Sequence, residues 1–364
     1  MTTTAPRPTL TGALRGRLLR LAERATTPLV PADYLDVIDP LRSGATLRGR
    51  IMAIQPETTD AATIIIKPGR DWRGHLPGQY VRIGVDVDGV RQWRTYSLTS
   101  RTNRPDGHFS ITVKAIPGGV VSNHLVRSAA VGTVVQLDQA AGDFTLDAPT
   151  PAKILFVTAG SGITPVMGML RNLPSNSGAD IVVVHCAPTP EDVIFGKELR
   201  ALAARGRIRL AEIHSRTVGR LDVATLERLV DDIAERHTWA CGPSGLLGDI
   251  ENHWAATGIA DTLHTERFRT TVIATGEGGT VTFSSTGTTV ESTGAESLLE
   301  AGEAAGVLMP SGCRMGICFG CVAPLRRGAV RDVRSGDITT AVPGDGVVIQ
   351  TCISAAAGPC DIEL

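Results

Sequence analysis

The chain has 364 residues, 42% hydrophobic and 20% charged, with a formal net charge of −1. These values describe an ordinary globular protein of two or three domains and give no sign of a nucleic-acid partner. No apolar run is long enough to span a bilayer, and the first residues lack the apolar core of a secretory signal. A reducing cytoplasm is therefore expected, where seven cysteines point to metal or redox chemistry before disulfides.

Residues 1–45 read as a helical extension. In "LTGALRGRLLRLAERA", Leu14, Leu18, Leu21 and Ala25 fall on one helical face, with Arg17, Arg20 and Arg24 on an adjoining one. A basic amphipathic helix of this kind can lie on an anionic membrane surface or pack on its own neighbouring domain. From 46 to 149 short alternating runs predict a small antiparallel β-barrel. Within it "RTYSLTS" supplies Arg94, Thr95, Tyr96 and Ser97: a permanent cation, an aromatic ring and two hydroxyls on one strand. About twenty residues later "PGGVVSNHL" places Gly118 and Gly119 before Ser122 and Asn123. A Gly-Gly turn opening a helix can turn its amides toward a phosphate, or be a plain turn.

At "DAPTPAK" the pattern changes to strand–helix alternation, and 150–264 read as an α/β nucleotide-binding domain with a parallel sheet. "KILFVTAGSGITP" is a buried strand, a turn with Gly160 and Gly162, and a helix start at Thr164 and Pro165, suited to a pyrophosphate. "EIHSRTVGR" follows a later strand and offers Ser215, Arg216 and Arg220, candidate partners for a 2′-phosphate or simply a solvated loop. "ACGP" contributes Cys241, Gly242 and Pro243, and "HTERF" contributes Glu266 at the start of an expected linker, 265–272.

Residues 273–364 hold the clearest motif, Cys313-x4-Cys318-x2-Cys321 followed by Cys352. This is the spacing of a plant-type [2Fe–2S] site, where four thiolates converge on two irons from a tight glycine-rich loop; zinc is the rival metal. Flanking alternation, a helix at "AESLLEAGEAAG" and the strand "VVIQTCIS" predict an α+β, β-grasp ferredoxin domain. Cys186 reads as a core residue, and Cys360 has no assigned role. From 270 onward there are five arginines, no lysine and ten acidic residues, so this part carries about −5 and the rest about +4.

The motifs R-x-Y-S, G-G-x-x-S, G-S-G-x-T-P and C-G-P, in this order and followed by the cysteine spacing, resemble the oxygenase- and desaturase-reductase branch of the ferredoxin–NADP reductase superfamily. The resemblance implies FAD, with FMN the lesser alternative, on Arg94–Ser97 and the Gly118–Asn123 segment. It implies NAD(P)H on the Gly160 turn, Cys241 beside the nicotinamide and Glu266 near the flavin. Its Ser-Arg pair implies NADPH before NADH. With "DYLDVIDPL", the resemblance extends to actinobacterial reductases that serve stearoyl-CoA desaturases. The expected activity is electron transfer from NADPH to a membrane di-iron fatty acyl desaturase or related lipid hydroxylase. A soluble multicomponent oxygenase is the alternative acceptor, and a redox sensor the non-enzymatic one.

Overall fold

The computed structural model describes residues 35–36, 38–174, 177–268, 277–312, 314, 316 and 319–364. The proposed amphipathic helix, Cys313 and Cys318 lie outside the described residues. The described end of the extension is tied to the first domain: Asp36 pairs with Arg42 at 2.6 Å and reaches Arg48 at 3.8 Å.

The first domain is an antiparallel six-stranded barrel. Its strands are β1 (Arg48–Thr58), β2 (Ala61–Pro68), β3 (Tyr80–Val87), β4 (Val90–Ser97), β5 (Phe109–Lys114) and β6 (Val134–Leu137), in the order β4-β3-β6-β1-β2-β5. A bridge between Leu98 and Ile111 brings the two edges together. Alternate residues such as Ile64, Ile66, Val81, Ile83 and Ile111 fill the interior, the period-2 burial expected of strands with one inward face. A short helix α1 (Val120–Asn123) follows β5 and lies beside the mouth.

The second domain has five parallel strands in the order β11-β10-β7-β8-β9: β7 (Lys153–Ala159), β8 (Asp180–Ala187), β9 (Arg209–His214), β10 (His237–Cys241) and β11 (Leu263–Glu266). Helices α2 (Ile163–Asn172), α3 (Gly196–Ala204), α4 (Ser215–Val218), α5 (Val223–Leu229) and α6 (Ser244–Ala256) connect them. Separate apolar clusters cover the two faces of the sheet, which explains why β7 and β8 are hydrophobic throughout rather than alternating. Strand β11 carries this sheet through Glu266, so that residue belongs to a strand rather than a linker.

The third domain is a mixed sheet packed on α7 (Leu298–Ala304). Its strands are β12 (Gly279–Phe283), β13 (Thr288–Ser292), β14 (Val322–Asp332), β15 (Ile338–Ala341), β16 (Val348–Gln350) and β17 (Ser354–Ile362), ordered β13-β12-β17-β14-β15 with β16 on β14. A capping box starts α7: Ser297 Oγ accepts from Glu300 N, and Glu300 accepts from Ser297 N. Cys360 packs in this core and Cys186 in the nucleotide domain; burial pushes both thiols up to about 11. Both are packing residues.

Candidate functional site

A cavity of about 630 Å³ opens where the three domains meet. The barrel contributes Arg94–Ser97 and the turn before α1, the nucleotide domain Glu266 and Phe268, and the third domain Glu303, Arg314 and Cys352. Thr95 Oγ1, Ser97 Oγ and Glu266 Oε2 are buried in its lining without a hydrogen-bond partner among the described residues. Three orphaned polar atoms around one space are what a polar ligand would satisfy, since burying them alone is costly.

Charge and burial sharpen this wall. Burial pushes the Tyr96 phenol well above its ordinary range, so it stays neutral. Burial draws the Arg94 guanidinium below its ordinary value, and nearby Arg314 adds repulsion. Arg94 Nη1 donates to Trp93 O at 2.7 Å, while Arg314 is clamped by both carboxylate oxygens of Glu303. Burial raises Glu266 to about 8, so its carboxyl is mostly neutral at pH 7 and can donate or accept. Cys241 is the register partner of Glu266 on adjacent strands. Burial, and secondarily the charge of Glu266, hold its thiol well above the usual range, which makes it a neutral wall rather than a nucleophile.

The two glycine turns divide their labour differently from what composition suggests. Gly118 and Gly160 have φ of 71° and 55° with open space where a Cβ would point, so a ligand can approach their backbone. Gly119 and Gly162 are packing positions. A Cβ on Gly119 would come 2.4 Å from Ser122 Oγ, and one on Gly162 would come 2.0 Å from Cys241 O. Ser122 and Asn123 turn inward as well. Asn123 Nδ2 donates to Ile116 O and Gly119 O at 2.8 and 2.7 Å, so its amide holds the turn. Thr164 borders the cavity and donates to Ser161 O at 2.9 Å; Pro165 is buried in α2. Gly242 packs against Ala159, and Pro243 is the N-cap of α6.

Ser215, Arg216 and Arg220 lie away from this cavity, after β9 at the same C-terminal edge of the sheet as the Gly160 turn. Both arginines are exposed and make no ion pair with a described residue. Cys321 and Cys352 are buried with their sulfurs 3.2 Å apart, beyond disulfide length. Their setting fits a metal cluster. Arg314, Gly316 and Phe319 all have φ between 55° and 77°, left-handed backbone at three described positions of the cysteine segment.

Several cavity residues carried no motif: Tyr80, Thr112, Lys114, Glu300, Glu303, Arg314 and Val333. Phe268 did lie in reach, two positions after Glu266 in "HTERF".

A barrel mouth, the C-terminal edge of a parallel sheet and a cysteine loop around one cavity define a flavin- and nucleotide-dependent electron carrier. Family models agree with each part: an oxidoreductase FAD-binding domain over residues 63–146, an oxidoreductase NAD-binding domain over 156–252 and a 2Fe-2S iron-sulfur cluster binding domain over 281–357. The chain belongs to the ferredoxin–NADP reductase-like family with a C-terminal [2Fe–2S] ferredoxin domain. It is 48% identical to an NADPH oxidoreductase of Mycobacterium tuberculosis, over 98% of this chain and 96% of that one. It is 30% identical to a glycine betaine monooxygenase reductase subunit of Pseudomonas aeruginosa, over 76% of this chain and 84% of the relative. The solved structure of phthalate dioxygenase reductase shares the fold, with TM-score 0.61 and 23% identity over 87% of this chain and 97% of that one. The protein is therefore an NAD(P)H oxidoreductase that uses FAD and a [2Fe–2S] cluster. Bound together, these groups accept a two-electron hydride from the nicotinamide and release electrons singly.

Proposed function

We propose that this reductase takes electrons from NADPH and delivers them to a membrane-bound di-iron fatty acyl desaturase or a related lipid hydroxylase. The observation that carries the internal route is the shared cavity wall, in which Ser97, Glu266 and Cys352 border one space. In this reading Tyr96 covers the flavin ring, and Arg94 with the Gly118 backbone holds its phosphates. Ser97 and the neutral carboxyl of Glu266 hydrogen-bond its reacting edge. Gly160, Thr164 and the start of α2 take the nicotinamide dinucleotide's pyrophosphate. Cys241 excludes water beside the nicotinamide. Cys313, Cys318, Cys321 and Cys352 hold the cluster.

Ser215, Arg216 and Arg220 are the 2′-phosphate partners. The two arginines are exposed cations at the C-terminal edge of the sheet, as a charged ligand group requires, and the part-buried Ser215 adds a hydroxyl. Arg216→Ala should raise the KM for NADPH and leave that for NADH nearly unchanged.

One feature favours a membrane acceptor: the stretch 10–25 is basic and amphipathic in sequence. The charge of about −5 on the ferredoxin domain suits a basic docking surface on either kind of acceptor. The M. tuberculosis relative aligns with 98% of the chain, whereas the monooxygenase reductase subunit aligns with 76%. That subunit's name favours the second reading, an acceptor that is a soluble multicomponent oxygenase. Reconstitution decides between them. The protein, NADPH and membranes bearing a Δ9 desaturase should yield oleoyl product. Deleting residues 1–30 should weaken membrane association without abolishing cytochrome c reduction. Support of a soluble Rieske oxygenase without any desaturation would transfer the assignment to the second reading.

A further inference from the structure

Asp147, His237 and His264 are far apart in sequence and meet at the edge of the parallel sheet opposite the flavin cavity. His237 opens β10, and His264 is the second residue of β11, in register with Trp239. By strand alternation His237, Trp239 and Cys241 share one face with His264 and Glu266. The two imidazoles therefore lie on the face that carries Cys241 and Glu266, His237 about 13 Å before Cys241 and His264 about 7 Å before Glu266 at 3.3 Å per residue. Asp147 comes from the connection between barrel and sheet.

Asp147 Oδ2 lies 3.2 Å from His237 Nδ1 and 3.4 Å from His264 Nε2. All three donor atoms fall within 4.8 Å of one another. Both ring nitrogens are buried, although their side chains are 42% and 30% exposed, and neither makes a hydrogen bond to a described group. An ordinary His–Asp pair would align an N–H with the carboxylate. Here the nitrogens approach the oxygen without that alignment, as ligand atoms around a common centre do. A tetrahedral site with bonds of about 2.0–2.1 Å has edges of roughly 3.3–3.4 Å, which two of the three edges already meet. The half-exposed His237 ring can rotate to close the third.

The surroundings hold these groups in place. The His264 ring lies flat on Trp239, with centroids 4.5 Å apart and planes 9° apart. Trp239 is fully buried, and its Nε1 donates to Thr145 O at 3.0 Å, two residues before Asp147. One ligand and the segment bearing another are thus fixed to the same indole, the kind of support that orients a metal site.

We propose that Asp147, His237 and His264 form a binding site for a zinc-class divalent cation, with its fourth position open to water. Two imidazoles and one carboxylate suit Zn²⁺; calcium and magnesium demand more oxygen ligands, and monovalent copper prefers sulfur. The cation clamps the connection at 145–147 to the first residues of β10 and β11. It holds barrel to nucleotide domain from the side opposite the cofactor cavity.

The test uses the protein with flavin and cluster in place, dialysed against a chelator and then titrated with Zn²⁺ in equilibrium dialysis. Visible absorption follows the cluster throughout. The wild type should retain one Zn²⁺ per chain at micromolar or lower Kd and gain a few degrees in Tm. Asp147→Asn and His237→Ala should each weaken binding at least ten-fold and abolish the Tm gain. His237→Ala, at a part-exposed position at the start of β10, should keep cytochrome c reduction within two-fold of wild type, which shows that it folds. Zinc X-ray absorption should read nitrogen and oxygen ligands and no sulfur. Wild type that binds no Zn²⁺ below 100 µM, binding unchanged in both variants, or sulfur in the zinc shell would overturn the assignment.

Discussion

The two ends of the β10–β11 face share one ladder and treat acidic groups in opposite ways. At the C-terminal end Glu266 is buried beside a thiol, has no cation paired to it among the described residues, and is raised to about 8 by burial alone. At the N-terminal end Asp147 is part-exposed and flanked by two imidazoles. The same carboxyl group becomes a neutral acid where water and cations are both excluded, and a ligand where basic nitrogens converge on it. Which end of the sheet a carboxyl meets thus decides its chemistry more than residue type does.

The change with the largest expected effect breaks the C-terminal end by geometry. Gly162→Ala places a methyl 2.0 Å from the Cys241 carbonyl, so strand and helix must separate. A loss of about 1–3 kcal/mol in stability is expected from such overpacking. Hydride transfer from NADPH should slow by roughly a hundred-fold, because small misplacements of reacting groups are that costly. Thermal melts and stopped-flow flavin reduction measure the two effects. Gly160→Ala, with open space but left-handed φ, should cost only about 1–2 kcal/mol.

Glu266→Gln comes next. Above pH 8 the wild-type carboxylate opposes arrival of the hydride's negative charge, so its rate should fall there. The glutamine variant should show no such inflection, and the two should differ by about ten-fold at pH 9. Stability follows the same group. Its folded value of about 8 lies above the ordinary 4.5, so its contribution is complete below 4.5 and is lost as pH rises through 8. The Tm of the cofactor-free glutamine variant should therefore gain on wild type across that window. If the difference between them does not vary with pH, burial is not what controls this carboxyl.

Cys241 sharpens the contrast between burial and reactivity. Iodoacetamide at pH 8 should leave it unmodified in the folded protein, and Cys241→Ala should slow hydride transfer only several-fold; rapid alkylation would show an accessible thiolate. Salt has the smallest expected effect. Raising ionic strength from about 0.05 to 0.3 M should reduce delivery to the physiological acceptor roughly three-fold while leaving ferricyanide reduction unchanged.

Much of the architecture was legible because its signals are local. The barrel, the parallel sheet and the ferredoxin domain each announce themselves by burial period and turn chemistry within a few tens of residues. Glu266 and Cys241 were legible as candidates, but not their pairing across two strands, which depends on register. The role of Gly162 was hidden for the same reason: its neighbour is a carbonyl 79 positions away. Asn123 looked like a phosphate ligand by type, yet its amide satisfies two carbonyls of its own turn. Arg314 and Glu303 carried no motif, because a surface-type ion pair becomes a cavity wall only when domains dock.

Helix α2 has a consequence for how the molecule comes apart. Gly168 lies so close to Leu98 O that a Cβ would approach it to 2.3 Å. Beside it Arg171 Nη1 donates to Thr99 O at 2.6 Å and Asn172 Nδ2 to Ser100 O at 3.0 Å. The helix that opens at the Gly160 turn is thus stitched to the residues that follow Ser97 in the barrel. Calorimetrically, barrel and nucleotide sheet should melt as one cooperative unit, although they are two domains by sequence and by sheet topology. The ferredoxin domain, whose sheet among the described residues shares no strand with either, is free to melt as a second transition. The unit of unfolding then follows the path of the hydride and divides where electrons begin to travel one at a time.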